Sequence, residues 1–300
     1  MKVRYTLVGD RELPGHLLAD TEDALANVGW VGITRQDVVV EPLHTVHFRA
    51  VRPLVSLSHE GFDHDGVLRE LTAGWRALGV AAAAVTSELA ARPPALLVMD
   101  VDSTLIQAEV IERIARRAGA EDQVAHMTST AMHGKADFAT SLRARLELVA
   151  GVPVAELAEI ADEIVFSPGA ARLVDAVHAA GGAVGVVSGG FHEVVDILAR
   201  RLGIDHVRAN RLAVDGDVLA GAPEGPIIDR DAKRAALLEW SALHPGPTVA
   251  IGDGANDLLM VQAADLGIAY CAKPVLAEQA DAAIPFPRLD AAALLAGLEL

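Results

Sequence analysis

Four short apolar runs, each followed by small, polar or acidic residues, constrain the fold of this chain more than any other feature of its sequence. They are predicted to be buried strands and span residues 95–99, 183–187, 248–251 and 266–269. Segments with helical spacing of apolar residues separate them. Continuous apolar strands alternating with helices are typical of a parallel sheet that is covered on both faces. The sequence therefore predicts an α/β fold, in which loops at the carboxyl ends of the strands can form a site.

The segment between the first two of these strands is long and has a helical pattern throughout. One apolar stripe in it consists of Phe138, Leu142, Leu146 and Val149. A single crossover helix would need far less chain. We therefore predict an inserted helical cap over about residues 107–166.

A proline break, Ala91-Arg92-Pro93-Pro94, precedes the first apolar strand and marks a predicted domain boundary. Upstream of it the pattern reads strand, helix, two strands, helix, strand, which is a split βαβ arrangement. We predict a small α+β domain over 1–92 and an α/β domain over 93–300. No catalytic combination of residues is visible in the first of these.

Composition excludes several classes of function. The formal net charge of -16 argues against binding to nucleic acid, and the longest apolar runs fall far short of the ~20 residues that a membrane span needs. The only cysteine, Cys271, allows neither an internal disulfide nor a zinc site built from cysteines. We expect a cytoplasmic protein without nucleic-acid or membrane partners.

Two carboxylates follow the first apolar strand directly. Asp100 and Asp102 are separated by one residue, so in an extended turn both can reach one pocket while Val101 points away. Carboxylate and carbonyl oxygens are the ligands that Mg²⁺ prefers. Taken alone, this pattern is also that of an acidic turn that caps the next helix.

Three further polar groups follow other strands or begin a helix. Ser188 with Gly189 and Gly190 could hold phosphoryl oxygens through a hydroxyl and backbone N–H groups. Lys233 could neutralise a phosphoryl group, although a lone lysine is usually a surface charge. The segment 252–257 contains two acids and an amide, which suit a metal-binding loop or a capped turn.

The order of these groups resembles the four motifs of the haloacid dehalogenase (HAD) superfamily. Those motifs are D-x-D-x-[TV], a Ser or Thr at a strand end, a Lys, and a G-D-x-x-x-D loop. They match Asp100-Val101-Asp102-Ser103-Thr104, Ser188, Lys233 and Gly252-Asp253-Gly254-Ala255-Asn256-Asp257. The set of four in register is much more specific than any single motif, and it implies a Rossmann-like parallel sheet with a cap.

Further segments narrow the resemblance to the phosphoserine phosphatase family of that superfamily. They are Glu109, 131–135, Phe138, 141–145, 187–191 and 209–212. The resemblance covers residues from about 95 to 285. The first domain resembles the regulatory ACT module of such enzymes in element order alone. By analogy that fold implies a homodimer and an amino-acid effector.

The resemblance also implies roles for single residues. Asp100 would be the nucleophile that accepts the phosphoryl group, and Asp102 the proton donor. Mg²⁺ would be held by Asp100, by the main-chain carbonyl of Asp102 and by Asp253. The remaining groups that the resemblance places around the substrate O-phospho-L-serine are Glu109 for its ammonium, Arg145 for its carboxylate, Ser188, Gly189, Lys233 and Asn256, supported by Met132, Phe138, Gly190 and Asp257.

Alternative readings remain open at this point. Glu109 and Arg145 could be exposed helix charges, and Met132 and Phe138 could be packing residues of the cap core. At the level of function, the same residues would serve a phosphotransferase that passes the phosphoryl group to another amino alcohol such as homoserine. A regulatory amino-acid-binding protein without catalysis is the alternative from another class.

Overall fold

The computed structural model describes residues 2–51, 64–86, 88–132 and 138–300. Its strands are β1 (Lys2–Gly9), β2 (Val31–Val40), β3 (Leu43–Val51), β4 (Ala81–Thr86), β5 (Leu96–Met99), β6 (Ala183–Phe191), β7 (His206–Asp215), β8 (Val218–Glu224), β9 (Thr248–Gly252), β10 (Leu266–Tyr270) and β11 (Ala282–Ile284). Its α-helices are α1 (Gly15–Asn27), α2 (His64–Ala77), α3 (Val110–Arg117), α4 (Glu121–Met132), α5 (Phe138–Glu147), α6 (Glu156–Glu163), α7 (Ala170–Ala179), α8 (His192–Leu202), α9 (Arg230–Leu243), α10 (Leu258–Ala263), α11 (Pro274–Ala277) and α12 (Ala291–Ala296).

The four apolar runs form the centre of the sheet, as predicted. Strands β10, β9, β5 and β6 lie side by side and parallel, and all of the residues of β5, β9 and β10 are buried. Because the strands are parallel, the loops after them meet at one edge of the sheet. This edge carries the candidate site.

Three strands at the margins of this sheet were not predicted. Strands β7 and β8 form an antiparallel hairpin, so the sheet is mixed and not purely parallel, and the short β11 pairs parallel to β10. The hairpin is half exposed and contains arginines, glycine and proline, so it lacks the apolar run by which the central strands were recognised. Strand β6 also continues to Phe191, four residues beyond its predicted end.

Within residues 2–51 and 64–86, four strands form an antiparallel sheet in the order β2-β3-β1-β4. Helix α1 lies between β1 and β2 in the sequence, and α2 lies between β3 and β4. This sheet is continuous with the second one, because β4 pairs antiparallel with β11 at Ala82 and Ala283. The result is one sheet of 11 strands among the described residues. One face of the first sheet, including Ala83 and Val85, belongs to the large core that also contains residues of β5 and of the helices around it.

The predicted cap is present between β5 and α7, where residues 107–132 and 138–166 contain the four helices α3 to α6. Its two ends pair with each other, since Ile106 forms an antiparallel bridge with Phe166 and the N–H of Gln107 donates to the oxygen of Val165 at 3.0 Å. The cap is also attached to the hairpin, where the N–H of Gly151 donates to the oxygen of Leu219 at 2.8 Å. The cap is thereby fixed over the carboxyl ends of the strands.

Candidate active site

A cavity of about 480 Å³ lies between the carboxyl ends of the central strands and the cap. Nine residues predicted from the sequence line it: Asp100, Asp102, Glu109, Phe138, Arg145, Gly189, Gly190, Asp253 and Asn256. Three others, Ser188, Lys233 and Asp257, are buried next to these residues without lining the cavity. The side chain of Met132 lies outside the described residues.

The loop after β5 turns two carboxylates toward the cavity. The N–H of Val101 donates to Oδ1 of Asp100 at 2.7 Å, and the N–H of Val110 donates to Oδ1 of Asp102 at 2.8 Å. Directly after Asp102, Ser103 has a left-handed backbone conformation with a φ of 57°. Backbone donors therefore hold both carboxylates in fixed positions, with Asp100 only 3% exposed.

Lys233 is in direct contact with the carboxylate of Asp100. Its Nζ lies 2.7 Å from Oδ1 of Asp100 and 2.7 Å from Oδ1 of Asp257, and the residue is 1% exposed. Asp229 begins helix α9 by accepting the N–H of Ala232 at 2.9 Å, which fixes the turn that carries the lysine. An ammonium can be buried this deeply because two carboxylates compensate its charge.

The acidic loop after β9 provides the second part of the site. Oδ2 of Asp257 accepts the N–H groups of Asp253 and Gly254, both at 3.1 Å, while its Oδ1 binds Lys233. Both oxygens of Asp257 are thus committed to the protein. Asp253, in contrast, lines the cavity. Gly252 is required here, because a Cβ at that position would lie 2.4 Å from the Cβ of Asp257.

The carboxylate oxygens of Asp100, Asp253 and Asp257 suit a hard cation. One carboxylate oxygen each from Asp100, Asp253 and Asp257 lie within 4.8 Å of one another, and no sulfur or imidazole is among them. An all-oxygen set of this kind favours Mg²⁺ or Ca²⁺ over zinc. Since the oxygens of Asp257 already accept protein donors, Asp100 and Asp253 are the side chains that can hold a divalent cation directly.

The turn at the end of β6 is held rigidly by its neighbours. Oγ of Ser188 accepts the N–H of Gly190 at 2.7 Å, and Nδ2 of Asn210 donates to the oxygen of Gly189 at 2.8 Å. Oδ1 of Asn210 accepts the N–H of Ile228 at 2.8 Å in turn. Asn210 lies in segment 209–212, which resembles the phosphoserine phosphatase family, but the sequence analysis gave it no role of its own. In the structure it supports this turn.

The cap contributes an acid, a base and an aromatic ring to the cavity. Glu109 accepts a hydrogen bond from Oγ of Ser103 at 2.8 Å. Arg145 is 6% exposed and donates through Nη1 to Oγ1 of Thr128 at 3.1 Å, so it is not a surface charge. Phe138 both packs against the core and lines the cavity, where its ring approaches Gly189.

The acids raise one another's pKa values because they are buried together. Burial and then Glu109 raise the pKa of Asp102 to about 8, while burial and then Asp257 raise that of Asp253 to about 6. Burial also raises the pKa of Glu109. Although burial alone would lower the pKa of Lys233, Asp100 and Asp257 raise it above its ordinary value. Carboxyl groups crowded in this way repel one another when they are ionised, so the cavity is a favourable place for a cation.

Sequence reasoning missed Lys273, one of several charged residues at this site. Lys273 lines the cavity, and its Nζ lies 3.6 Å from Oδ2 of Asp253. It follows β10, and strand-end loops of a parallel sheet meet, so the strand rule could have identified it. The other lining residues, to which the sequence analysis gave no role at the site, are Ile111, Thr128, Leu142, Asp229, Arg230, Asp231 and Ala255.

A family model for haloacid dehalogenase-like hydrolases matches residues 97–262. The chain belongs to this family. It is 46% identical over 213 residues to the phosphoserine phosphatase SerB2 of Mycobacterium tuberculosis, which covers 70% of this chain and 52% of the relative. It is 47% identical over 197 residues to the phosphoserine phosphatase of Streptococcus thermophilus, covering 65% of this chain and 92% of the relative.

Among solved structures, a substrate-bound phosphoserine phosphatase complex matches with a TM-score of 0.64 at 38% identity, covering 68% of this chain and 98% of the solved one. The chain spans about half the length of the Mycobacterium tuberculosis relative. Within the described residues, no helix is long and apolar enough to cross a membrane.

Proposed function

We propose that the protein hydrolyses O-phospho-L-serine to L-serine and phosphate, using Mg²⁺. One observation carries this proposal: the cavity that Asp100 lines at the sheet edge also receives Glu109 and the buried Arg145 from the cap. Phosphoserine has a phosphate at one end and an ammonium and a carboxylate at the other. Asp100 would face the phosphate, Glu109 the ammonium and Arg145 the carboxylate. The phosphoserine phosphatases among its relatives support the same assignment.

The first step is attack by a carboxylate oxygen of Asp100 on phosphorus. An oxygen–phosphorus bond forms to Asp100 while the bond to the serine oxygen breaks, which splits one hydrolysis into two displacements. The departing serine oxygen takes a proton from Asp102. A pKa of about 8 keeps Asp102 largely protonated at neutral pH, as a proton donor must be.

In the second step a water molecule attacks the phosphorus of the aspartyl-phosphate. Asp102, now ionised, accepts a proton from that water, and the bond between phosphorus and Asp100 breaks. Phosphate leaves, and both side chains return to their starting states. Asn210 and Ser188 hold the turn of Gly189 and Gly190, two residues that line the cavity.

Asp100, Asp253 and the main-chain oxygen of Asp102 are the groups that we assign to Mg²⁺, with Asp257 orienting Asp253 and Lys233. When bound, the ion reduces the repulsion between the carboxylates and the phosphate. Lys233 neutralises charge at Asp100 from the protein side. Asn256 lines the cavity next to Asp253 and is assigned to the substrate.

We also propose a domain division, a cellular location and an effector for this enzyme. Residues 1–92 are proposed to form an ACT-like domain that regulates the enzyme or joins two copies of it, and 93–300 the phosphatase domain. The product L-serine suggests a cytoplasmic enzyme at the end of serine biosynthesis. An amino acid such as serine is the proposed effector.

The test is phosphate release from O-phospho-L-serine with Mg²⁺ by the purified chain. Asp100→Asn should abolish turnover without lowering the melting temperature by more than a few degrees. Asp215→Asn, an exposed position at the hairpin turn, is the matched control and should keep full activity. Turnover by a folded Asp100→Asn variant would contradict the assignment.

A second assay separates hydrolysis from transfer. With homoserine present in excess, a phosphotransferase would form phosphohomoserine at the expense of free phosphate, whereas a phosphatase would release phosphate undiminished. The absence of both products in the presence of Mg²⁺ would favour the non-catalytic reading.

A further inference from the structure

Besides the largely exposed Arg230, three cationic side chains lie at the candidate cavity, and the contacts of two of them have been described above. Lys233 binds Asp100 and Asp257, each at 2.7 Å. Arg145 is held within the cap, where its Nη1 and Nε donate to Thr128 and to the main-chain oxygen of Ser141. The third cation is Lys273, a residue to which the four motifs give no role.

Lys273 is tied to the acidic loop by its backbone. Strands β9 and β10 are parallel neighbours, so the turns that follow them lie side by side. The N–H of Lys273 donates to the main-chain oxygen of Asp253 at 2.9 Å. Its position relative to that residue is therefore fixed by main-chain geometry and does not depend on the side chain alone.

The side chain of Lys273 also approaches Asp253. Its Nζ lies 3.6 Å from Oδ2 of Asp253, and the side chain is 33% exposed. This ionic contact is longer than the two 2.7 Å contacts of Lys233. Asp253 is also one of the two carboxylates that can hold a divalent cation directly.

A carboxylate that faces an ammonium attracts a second cation less strongly, because the two positive charges repel each other at short range. Lys273 thus competes with a divalent cation for Asp253. It also balances part of the negative charge that Asp253 and the neighbouring Glu109 bring to the cavity.

We propose that Lys273 is a positioning residue that sets the divalent-cation affinity of the site by competing for the carboxylate of Asp253. This inference rests on the proposed metal site. Lys273 neutralises Asp253 before the cation binds and yields it afterwards. The affinity is consequently weaker, and the cation exchanges more readily, than the carboxylates alone would dictate.

The experiment is calorimetric titration of Mg²⁺ into the full chain without substrate. Lys273→Gln should tighten Mg²⁺ binding by roughly tenfold, as expected when a unit charge is removed a few ångströms from a divalent cation near a surface. Lys273→Arg keeps the charge and should retain an affinity within about twofold of the unaltered chain. A merely structural role for Lys273 would not give this pattern.

Arg230→Gln is the matched control, because Arg230 also lines the cavity but its side chain is 67% exposed. It removes the same charge and should change the affinity far less than Lys273→Gln. Melting curves of all variants, and Lys273→Met as a second neutral variant, guard against a folding defect at this position.

Unchanged or weaker Mg²⁺ binding by the folded Lys273→Gln and Lys273→Met variants would overturn the inference while leaving phosphoserine hydrolysis unaffected as a proposal. Equal tightening by Arg230→Gln would also overturn it, since the effect would then be one of overall charge. No Mg²⁺ binding by the unaltered chain would overturn the metal site and the inference together.

Discussion

The guanidinium of Arg4, in the first strand, donates a hydrogen bond of 3.2 Å to the main-chain oxygen of Leu295, in the last helix. A second bond of 3.3 Å reaches the oxygen of Leu89, and the residue is 5% exposed. Arg4 also lies against Gly297, where any Cβ would collide with the guanidinium. One buried side chain thus caps the end of α12 and connects the two ends of the chain.

Replacing Arg4 should therefore destabilise the whole molecule. Arg4→Met keeps the apolar stem but leaves two buried carbonyl oxygens without a donor, at a cost of about 1–3 kcal/mol in the free energy of unfolding. Chemical denaturation measures this loss. Arg49→Met is the control, because Arg49 pairs with Arg4 across the strands but is exposed, and it should change the stability little. Equal stability of the two variants would contradict the role of Arg4.

The fragment 93–300 should keep its chemistry at reduced stability. All described residues that line the cavity lie in this part of the chain, whereas Arg4 and strand β4 do not. We expect phosphoserine hydrolysis comparable to that of the full chain at low temperature and a lower melting temperature. A fragment that folds but binds no substrate would contradict the proposed division at residue 92. Changes in oligomeric mass or in the response to serine would support a regulatory or assembly role of the first domain.

Stability should fall in mild acid because of His47. This residue is 5% exposed, its Nδ1 lies 3.0 Å from Oγ1 of Thr6, and burial followed by the charge of Arg4 lowers its pKa from 6.5 to about 4. The unfolded chain takes up a proton at this histidine below pH 6.5, and the folded chain does so only near pH 4. The free energy of unfolding should thus decrease as the pH falls through this window, by up to about 3 kcal/mol.

Urea denaturation between pH 7 and 4 tests this linkage. His47→Gln cannot titrate, so the difference in stability between the unaltered chain and this variant should shift in favour of the variant as the pH falls. A difference that stays constant over the whole range would show that His47 titrates alike in both states.

Removal of divalent cations should abolish turnover, and Mg²⁺ should restore it. Ca²⁺, with longer bonds and looser coordination, should restore little. Because a ligand that binds only the folded state stabilises it, Mg²⁺ should also raise the melting temperature. Asp253→Asn should lose this rise, and Asp215→Asn should keep it. Full activity after exhaustive chelation would exclude the proposed metal dependence.

Arg145 should control the choice of substrate. Arg145→Ala removes a charge-assisted pair with the substrate carboxylate, which should cost about 1.5–3 kcal/mol in kcat/KM for O-phospho-L-serine. The loss should be far smaller for phosphoethanolamine, which has no carboxylate. Arg143→Ala, on the exposed side of the same helix, is the control. Equal losses on both substrates would show that Arg145 is structural.

The positions of Asp100 and Asp253 could be predicted from the sequence, because each residue directly follows a buried strand. Asp100 follows one buried strand and Asp253 another, and parallel neighbours bring such ends together. Lys233 was predicted through its place in a series of motifs. Its burial between two carboxylates depends on three segments meeting in space, which no single segment encodes.

The union of the two sheets could not be predicted in the same way. It depends on pairing between Ala82 and Ala283, two small residues about 200 positions apart. Alanine has no strong strand preference, and β11 is only three residues long. The strand rule brings the segment after β10 to the edge of the site, but a lone lysine there is more often a surface charge, so the contact of Lys273 with Asp253 was not predicted.

The two ends of the cap lie next to each other in space, because Ile106 pairs with Phe166. The groups proposed to recognise the amino acid lie within this insertion, whereas Asp100 and Asp253, proposed for the chemistry, lie outside it. An exchange of the segment 107–166 between related genes would thus replace the recognition surface while leaving the reactive corner intact. In such an architecture, new substrates can be acquired by recombination at a single pair of neighbouring breakpoints, without any change to the phosphoryl-transfer residues themselves.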